Sequence, residues 1–282
     1  MFPTPIERTP RSWQITYQTL LPLALILWLL PLIAVAIFSV KPDADFANAN
    51  YWGWPSSFEG FTNYGLVFTG SDMPQYLLNS FKITIPTVIG AVALSCMTGF
   101  ALGIYKFRAN IWIFFMFVAG NFVPFQILMV PVRDLTLQLG LYNTITGLVL
   151  FHIAFQTGFC TLFMRNFIRA LPFELIEAAR VEGVAEWRIF WFVVLPLMKP
   201  AIAALSVLIF TFIWNDYFWA IVLTQGVESQ PVTAGITSFN AQYRAAYHLM
   251  SAGSIVAALP PVAMFFMMQK HFIAGLTLGA VK

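Results

Sequence analysis

Residues 177–196 read Glu177-Ala178-Ala179-Arg180-Val181-Glu182-Gly183-Val184-Ala185-Glu186-Trp187-Arg188-Ile189-Phe190-Trp191-Phe192-Val193-Val194-Leu195-Pro196. Just before them, Pro172 and Glu174 suit the first turn of a helix. A proline there loses no hydrogen bond, and an acid faces the positive end of the aligned peptide dipoles. Glu177 through Arg180 continue as helix formers, and Gly183 is placed to end the helix in the left-handed region. Glu186-Trp187-Arg188 opens a second amphipathic stretch, which Pro196 is expected to stop. The prediction is two short helices joined by a turn at Gly183. The small side chains of Ala178 and Ala179 would let the first helix sit deep in a partner's groove, with Val181 and Val184 adding apolar contact. A helix lying flat on lipid is the competing interpretation. Glu174, Glu177, Glu182 and Glu186 count against it, because anionic lipid repels them.

Around this loop the chain is apolar. Of 282 residues, 59% are hydrophobic and only 10% charged, where a soluble domain carries roughly a quarter charged residues. Six apolar blocks approach or exceed the roughly 20 residues that cross a bilayer core: Ile15–Val40, Tyr76–Tyr105, Asn110–Val132, Thr144–Phe167, Pro200–Leu223 and Leu249–Gln269. Prolines at Pro22, Pro31, Pro86, Pro124, Pro131, Pro260 and Pro261 predict kinked, bundled spans. Arg8 and Arg11 precede the first block, which is too long for a signal peptide and is followed by no small-residue cleavage site, so it is read as a retained span. With the N-terminus in the cytoplasm, Arg8, Arg11, Lys106, Arg108, Arg165, Arg169, Arg180, Arg188, Lys199, Lys270 and Lys282 lie inside. Lys41, Lys82, Arg133 and Arg244 lie outside. That asymmetry predicts both termini, and the loop from about Arg169 to Lys199, on the cytoplasmic side. The expected organisation is a cytoplasmic segment 1–14, a transmembrane domain 15–271 and a cytoplasmic tail 272–282.

The outer segments differ in character. Lys41–Gln75 holds Tyr51, Trp52, Trp54, Phe58, Phe61 and Tyr64 among Asp43, Asp45, Glu59 and Asp72. The aromatics suit either an interfacial belt or contact with an external partner. Thr224–His248 is polar and reads as flexible. Within the spans, ionisable and amide groups are functional candidates. Lys82, Asn121, Gln126, Asn215 and Asp216 are the candidates for a solute path, against snorkelling for Lys82 and structural helix bridging for the others. His152 reads as a hydrogen-bonded packing residue, Cys96 and Cys160 as small packing residues, and Gly99-x-x-x-Gly103 as a site of close helix approach.

Several chemistries are missing. No phosphate-binding G-x-x-x-x-G-K-[ST] occurs, no H-E-x-x-H and no G-x-S-x-G. No His, Cys or acid cluster has metal-ligand spacing. No basic stripe with interleaved aromatics points to nucleic acid. The chain is therefore expected to be no enzyme and to bind no cofactor itself. An ion-coupled secondary transporter is the alternative; it calls for inverted repeats and midplane acids, of which Asp216 is the lone candidate.

Glu177-Ala178-Ala179, Gly183, Ile189 and Leu195-Pro196 resemble the EAA motif of ABC importer permeases. Asn79-Ser80, Leu139-Gly140-Leu141-Tyr142-Asn143-Thr144, Trp214-Asn215-Asp216, Gly275-Leu276-Thr277 and Gly279-Ala280-Val281-Lys282 resemble the carbohydrate-uptake branch, in particular its second, G-type permease subunit. The resemblance implies an all-α membrane protein with the type I importer permease fold, set in the bacterial inner membrane. It implies a homologous permease partner, two ATPase subunits that bind ATP and Mg, and a periplasmic or extracellular solute-binding protein that delivers a sugar. The EAA residues would dock an ATPase. The outer loop would enter the binding protein's cleft, with Gln225, Glu228, Gln230, Asn240 and Gln242 as contacts. Leu276, Thr277, Gly279 and Lys282 of the tail would reach the ATPase interface.

Overall fold

The computed structural model describes residues 10–241 and 244–278, with side chains described for 10–239 and 246–269. Helices dominate, as the all-α expectation required. The one ladder among the described residues is a two-residue antiparallel pair, β1 (Asn240–Ala241) with β2 (Arg244–Ala245). Four helices are long and apolar enough to cross a membrane, or six if each of two bent pairs counts as one span. The chain divides into two compact units, one of residues up to Ser71 with Phe239–Val256, the other of Asp72–Ser238 with the residues from Ala257 onward.

In the first unit, α1 (Arg11–Val40) buries nothing before Ser39 apart from partial cover near its end, so its apolar side chains face outward all round. A helix apolar on every face belongs in lipid. The outer segment that follows is folded through α2 (Asp43–Ala47) and α3 (Gly60–Thr69). Lys41, one of the charges the sequence places outside, is fully buried. Its Nζ donates to the carbonyls of Asn50 and Tyr51 at 2.7 and 3.1 Å and faces the rings of Phe38 and Phe46. Asn63 Nδ2 donates to the carbonyls of Ser39 and Lys41, fastening α3 to the end of α1. Ser56 donates to the Asp45 carboxylate and holds it below its usual range. Trp52, Trp54 and Phe61 stay exposed.

The second unit is organised on α4 (Met73–Ile104), with α5 (Asn110–Gly120), a 3-10 turn (Phe125–Leu128), α6 (Met129–Gln138) and α7 (Ile145–Arg169). The α4–α7 seam carries the core: Cys96, Phe100, Cys160, Met164 and Ile168 are buried there with Ile189, Val194 and Leu205. Both cysteines are unpaired. A Cβ on Gly99 would come within 2.9 Å of the Met164 side chain and 3.0 Å of the Arg165 nitrogen, so only glycine admits this approach. Thr98 and Thr161 share a 2.7 Å hydroxyl contact across the seam.

Two expected spans differ from their predicted form. The third is not one helix: α5 and the 125–138 segment meet at 89°. The residue before a proline is pushed out of the helical region, and Pro124 therefore ends α5's direction within a turn of Gly120. The fifth, expected as Pro200–Leu223, is split into α11 (Lys199–Trp214) and α12 (Phe218–Leu223). Asp216 makes the break by accepting the α12 N–H groups of Trp219 and Ala220, so its side chain competes with the continuing ladder. Pro22, Pro31 and Pro86 lie inside continuous helices. Gly99→Leu is expected to destabilise the protein by about 1–3 kcal/mol through overpacking of the seam. A thermal melt of the purified variant in detergent checks this against the exposed control Gly65→Ala, whose Cβ meets nothing within 4 Å.

Candidate functional site

The loop identified from sequence forms a helical hairpin. It runs as α8 (Phe173–Val181), a turn, α9 (Glu186–Ile189), a π turn (Phe190–Val194) and α10 (Leu195–Leu197). Pro196 was expected to stop the second helix; it falls instead at the start of α10, and the direction changes by 73° between Glu186–Leu197 and α11. Gly183 has φ of 73°. Val184 N–H reaches back to Ala179 O and Gly183 N–H to Arg180 O, both at 3.0 Å, which closes the C-terminus of α8 in a Schellman pattern. Arg180 Nε and Nη2 then grip the Glu186 carboxylate at 2.6 and 3.1 Å, joining the two helices across the turn. Glu186 pushes the Arg180 pKa upward by accepting this bond. Tyr105, just past α4, donates its hydroxyl to Glu186 Oε2 at 2.8 Å. The motif residues and their neighbours in the hairpin divide by exposure. Glu177, Ala178, Val181 and Gly183 face outward, Ala179 and Leu195 are half-buried against the core, and Ile176 and Ile189 are buried at 2% and 0% exposure.

The 224–239 segment, expected to be flexible, is pinned. Asn79 Nδ2 donates to Val227 O and Gln230 O, and Ser80 Oγ accepts from Val232 N. Asn143 Oδ1 accepts from Gln225 N and Ser229 Oγ, both at 2.6 Å. A short helix α13 (Val232–Gly235) and a 3-10 turn (Ile236–Phe239) follow, with Val232 and Ala234 buried. Composition misled here because the satisfying partners lie far away in sequence. Gln225 and Glu228 are exposed and Gln230 half-buried.

A cavity of about 360 Å³ lies between α7, the third-span break and the fifth-span break. Asn121, His152, Gln156 and Asp216 line it together with Phe155, Phe159, Phe212 and Trp219. His152 is 2% exposed, and its Nε2 lies 3.5 Å from Asp216 Oδ2. Neither imidazole nitrogen completes a hydrogen bond, contrary to the expected hydrogen-bonded packing residue. Buried polar groups are rarely left so. Thr233 Oγ1 donates to the Asp216 carbonyl, tying the pinned outer loop to this break.

Residues 11–277 match the family described as binding-protein-dependent transport system inner membrane component. The chain belongs to that family. An osmoprotective-compound uptake permease of Synechocystis sp. is 33% identical over 262 residues, covering 91% of this chain and 88% of the relative. An arabinooligosaccharide transport permease of Bacillus subtilis is 30% identical over 259 residues, covering 91% and 92%. A lactose transport permease of Rhizobium radiobacter is 29% identical over 268 residues, covering 95% and 96%. A crystal structure of a bacterial ABC transporter for the import of alginate aligns with TM-score 0.80 over 96% of this chain and 99% of that one, at 22% identity, which shows a shared fold.

The permease is thus a multi-pass inner-membrane component of a binding-protein-dependent ABC importer. Membership in this family sets aside the ion-coupled alternative. Of the solute-path candidates, Asn121 and Asp216 meet in the cavity, while Lys82, Gln126 and Asn215 are exposed and do not line it. His152 and Gln156 were not among those candidates; both are polar residues on one α7 face, four positions apart, and that spacing was the available signal. Gln242, Gly279 and Lys282 lie outside the described residues, as do the side chains of Asn240, Leu276 and Thr277. A double-mutant cycle on Arg180→Ala and Glu186→Gln is expected to give a coupling of about 0.2–1 kcal/mol, the range for a partly exposed ion pair. The measurement is hydrogen exchange across 173–189, which should accelerate in each single variant.

Proposed function

We propose that the permease is one of two homologous transmembrane subunits of a sugar importer. Its hairpin is the docking element for one of two separate ATPase subunits, which carry ATP and Mg. The solute-binding protein delivers substrate on the opposite face, where the 224–247 loop and its polar residues Gln225, Glu228, Gln230, Asn240 and Gln242 meet it. Both termini are cytoplasmic, residues 15–271 act as the transmembrane domain, and the tail with Leu276, Thr277, Gly279 and Lys282 reaches the ATPase interface.

The observation that carries this reading is the division within the hairpin. Glu177, Ala178, Val181 and Gly183 are free to touch a partner, while Ile176 and Ile189 are rooted in the core. A docking element that transmits force needs both halves. Push or pull on α8 passes through Arg180–Glu186 to Tyr105 and α4, and through α10 to α11 and the Asp216 break, as rigid-body motion. The cavity favours a sugar as the solute. Amides, an imidazole and a carboxylate suit hydroxyl groups, and the aromatic rings of Phe125, Phe155, Phe159, Phe212 and Trp219 suit the apolar faces of a pyranose or furanose. Relatives named for arabinooligosaccharide and lactose transport agree with that class.

Glu177→Lys is expected to leave membrane insertion intact while uncoupling ATP hydrolysis from uptake in proteoliposomes, and Gly183→Pro to do the same by unlocking the turn. Normal uptake by both variants would refute the docking role. Gln156→Leu is expected to raise the apparent KM for the transported sugar by roughly 5- to 150-fold, the effect of about 1–3 kcal/mol from one lost buried hydrogen bond. An unchanged KM would remove the cavity from the solute path.

A further inference from the structure

A second cavity, of about 660 Å³, opens at the other end of the α4–α7 seam. Lys106, Arg108, Arg165 and Arg169 line it, and no Asp or Glu does. Arg165 is 7% exposed. Its Nε caps α4 by donating to Leu102 O at 3.1 Å, and its guanidinium stacks on Phe114 at 3.9 Å from the ring centroid. Nη1 and Nη2 have no hydrogen-bond partner among the described residues. Arg169 stands one turn further along α7, so two like charges share one helix face, an arrangement that is unfavourable unless an anion lies between them. Asn110 Nδ2 donates to Leu102 O and Tyr105 O, which folds the Lys106–Arg108 loop over the same opening.

The other wall is apolar and open. Phe107, Ile111 and Phe173 line the cavity and remain 41–45% exposed. They continue onto α5, which buries none of its residues and carries Trp112 at 71% exposure. A cationic floor beside an apolar helix that the chain leaves uncovered, with a tryptophan near its start, suits a molecule with an anionic head and hydrocarbon chains.

We propose that this cavity binds the phosphate of an anionic phospholipid, with Arg165 and Arg169 on the phosphate, Lys106 and Arg108 closing over it, and the acyl chains running along α5. Nothing in the transport mechanism above uses these four cations.

The test uses the intact transporter complex purified in detergent, stripped of lipid and offered phosphatidylglycerol, phosphatidylcholine of the same chains, or inorganic phosphate, with native mass spectrometry reading retained adducts. Wild-type complex is expected to retain phosphatidylglycerol over phosphatidylcholine. Lys106→Gln/Arg108→Gln, on exposed side chains, should lower that retention about tenfold or more and leave phosphatidylcholine unchanged. Arg165→Gln should do the same; if it fails to assemble, the loop double variant decides. Equal retention of the two lipids, or a phosphatidylglycerol preference that survives in the double variant, overturns the proposal. Binding of inorganic phosphate without any phosphatidylglycerol preference also overturns it, since the ligand would then be soluble phosphate.

Discussion

The close approach of α4 and α7 is the constraint on which the second unit depends. Gly99 lets the two backbones meet, and the Thr98–Thr161 hydroxyl contact gives the fully buried Thr161 hydroxyl a partner across the seam. In a membrane the hydrophobic effect does not drive helices together, so small residues and buried hydrogen bonds must hold them. Each of the unit's functional features is mounted on this seam. Asn79 and Ser80 near the start of α4 hold the 227–232 segment, Tyr105 just past its end holds the hairpin, and α7 supplies His152 and Gln156 to one cavity and Arg165 to the other.

Polar side chains in this protein act mainly as fasteners between distant backbone segments. Asn79, Asn143 and Asp216 each satisfy backbone or hydroxyl groups of a loop or helix start. Such bonds are individually worth about a kilocalorie per mole, yet their placement decides which loops move as one with the spans. The segment between Gln225 and Thr233 is therefore fastened to the second unit's helices, and in the proposed mechanism motion delivered at the hairpin reaches it through α11 and the Thr233–Asp216 bond.

The hairpin shows why a sequence motif mixes two kinds of residue. Glu177 and Ala178 are exposed, whereas Ile189 is buried. In the proposed docking role, the exposed positions meet the ATPase and the buried ones carry its motion into the spans. Arg180, Glu186 and Tyr105 are outside the motif pattern yet form the clamp between these halves. Periodicity and capping could not reveal that clamp, because Tyr105 and Glu186 are 81 positions apart.

By itself the sequence determined what depends on near neighbours. Apolar length set the membrane class, Gly183 set the turn, and Pro172 and Glu174 set the start of α8, because hydropathy, left-handed φ and helix-end electrostatics act within a few residues. Tertiary structure alone decided which polar groups met. It bent the third span by 89° at Pro124 and broke the fifth at Asp216. It buried Lys41 under carbonyls and fixed a supposedly flexible loop through bonds spanning up to 152 positions. It also gathered Asn121, His152, Gln156 and Asp216 around one cavity, leaving Lys82 and Gln126 outside. The reason is the same in each case: a polar group among apolar spans must find a partner, and only packing determines which groups come within reach.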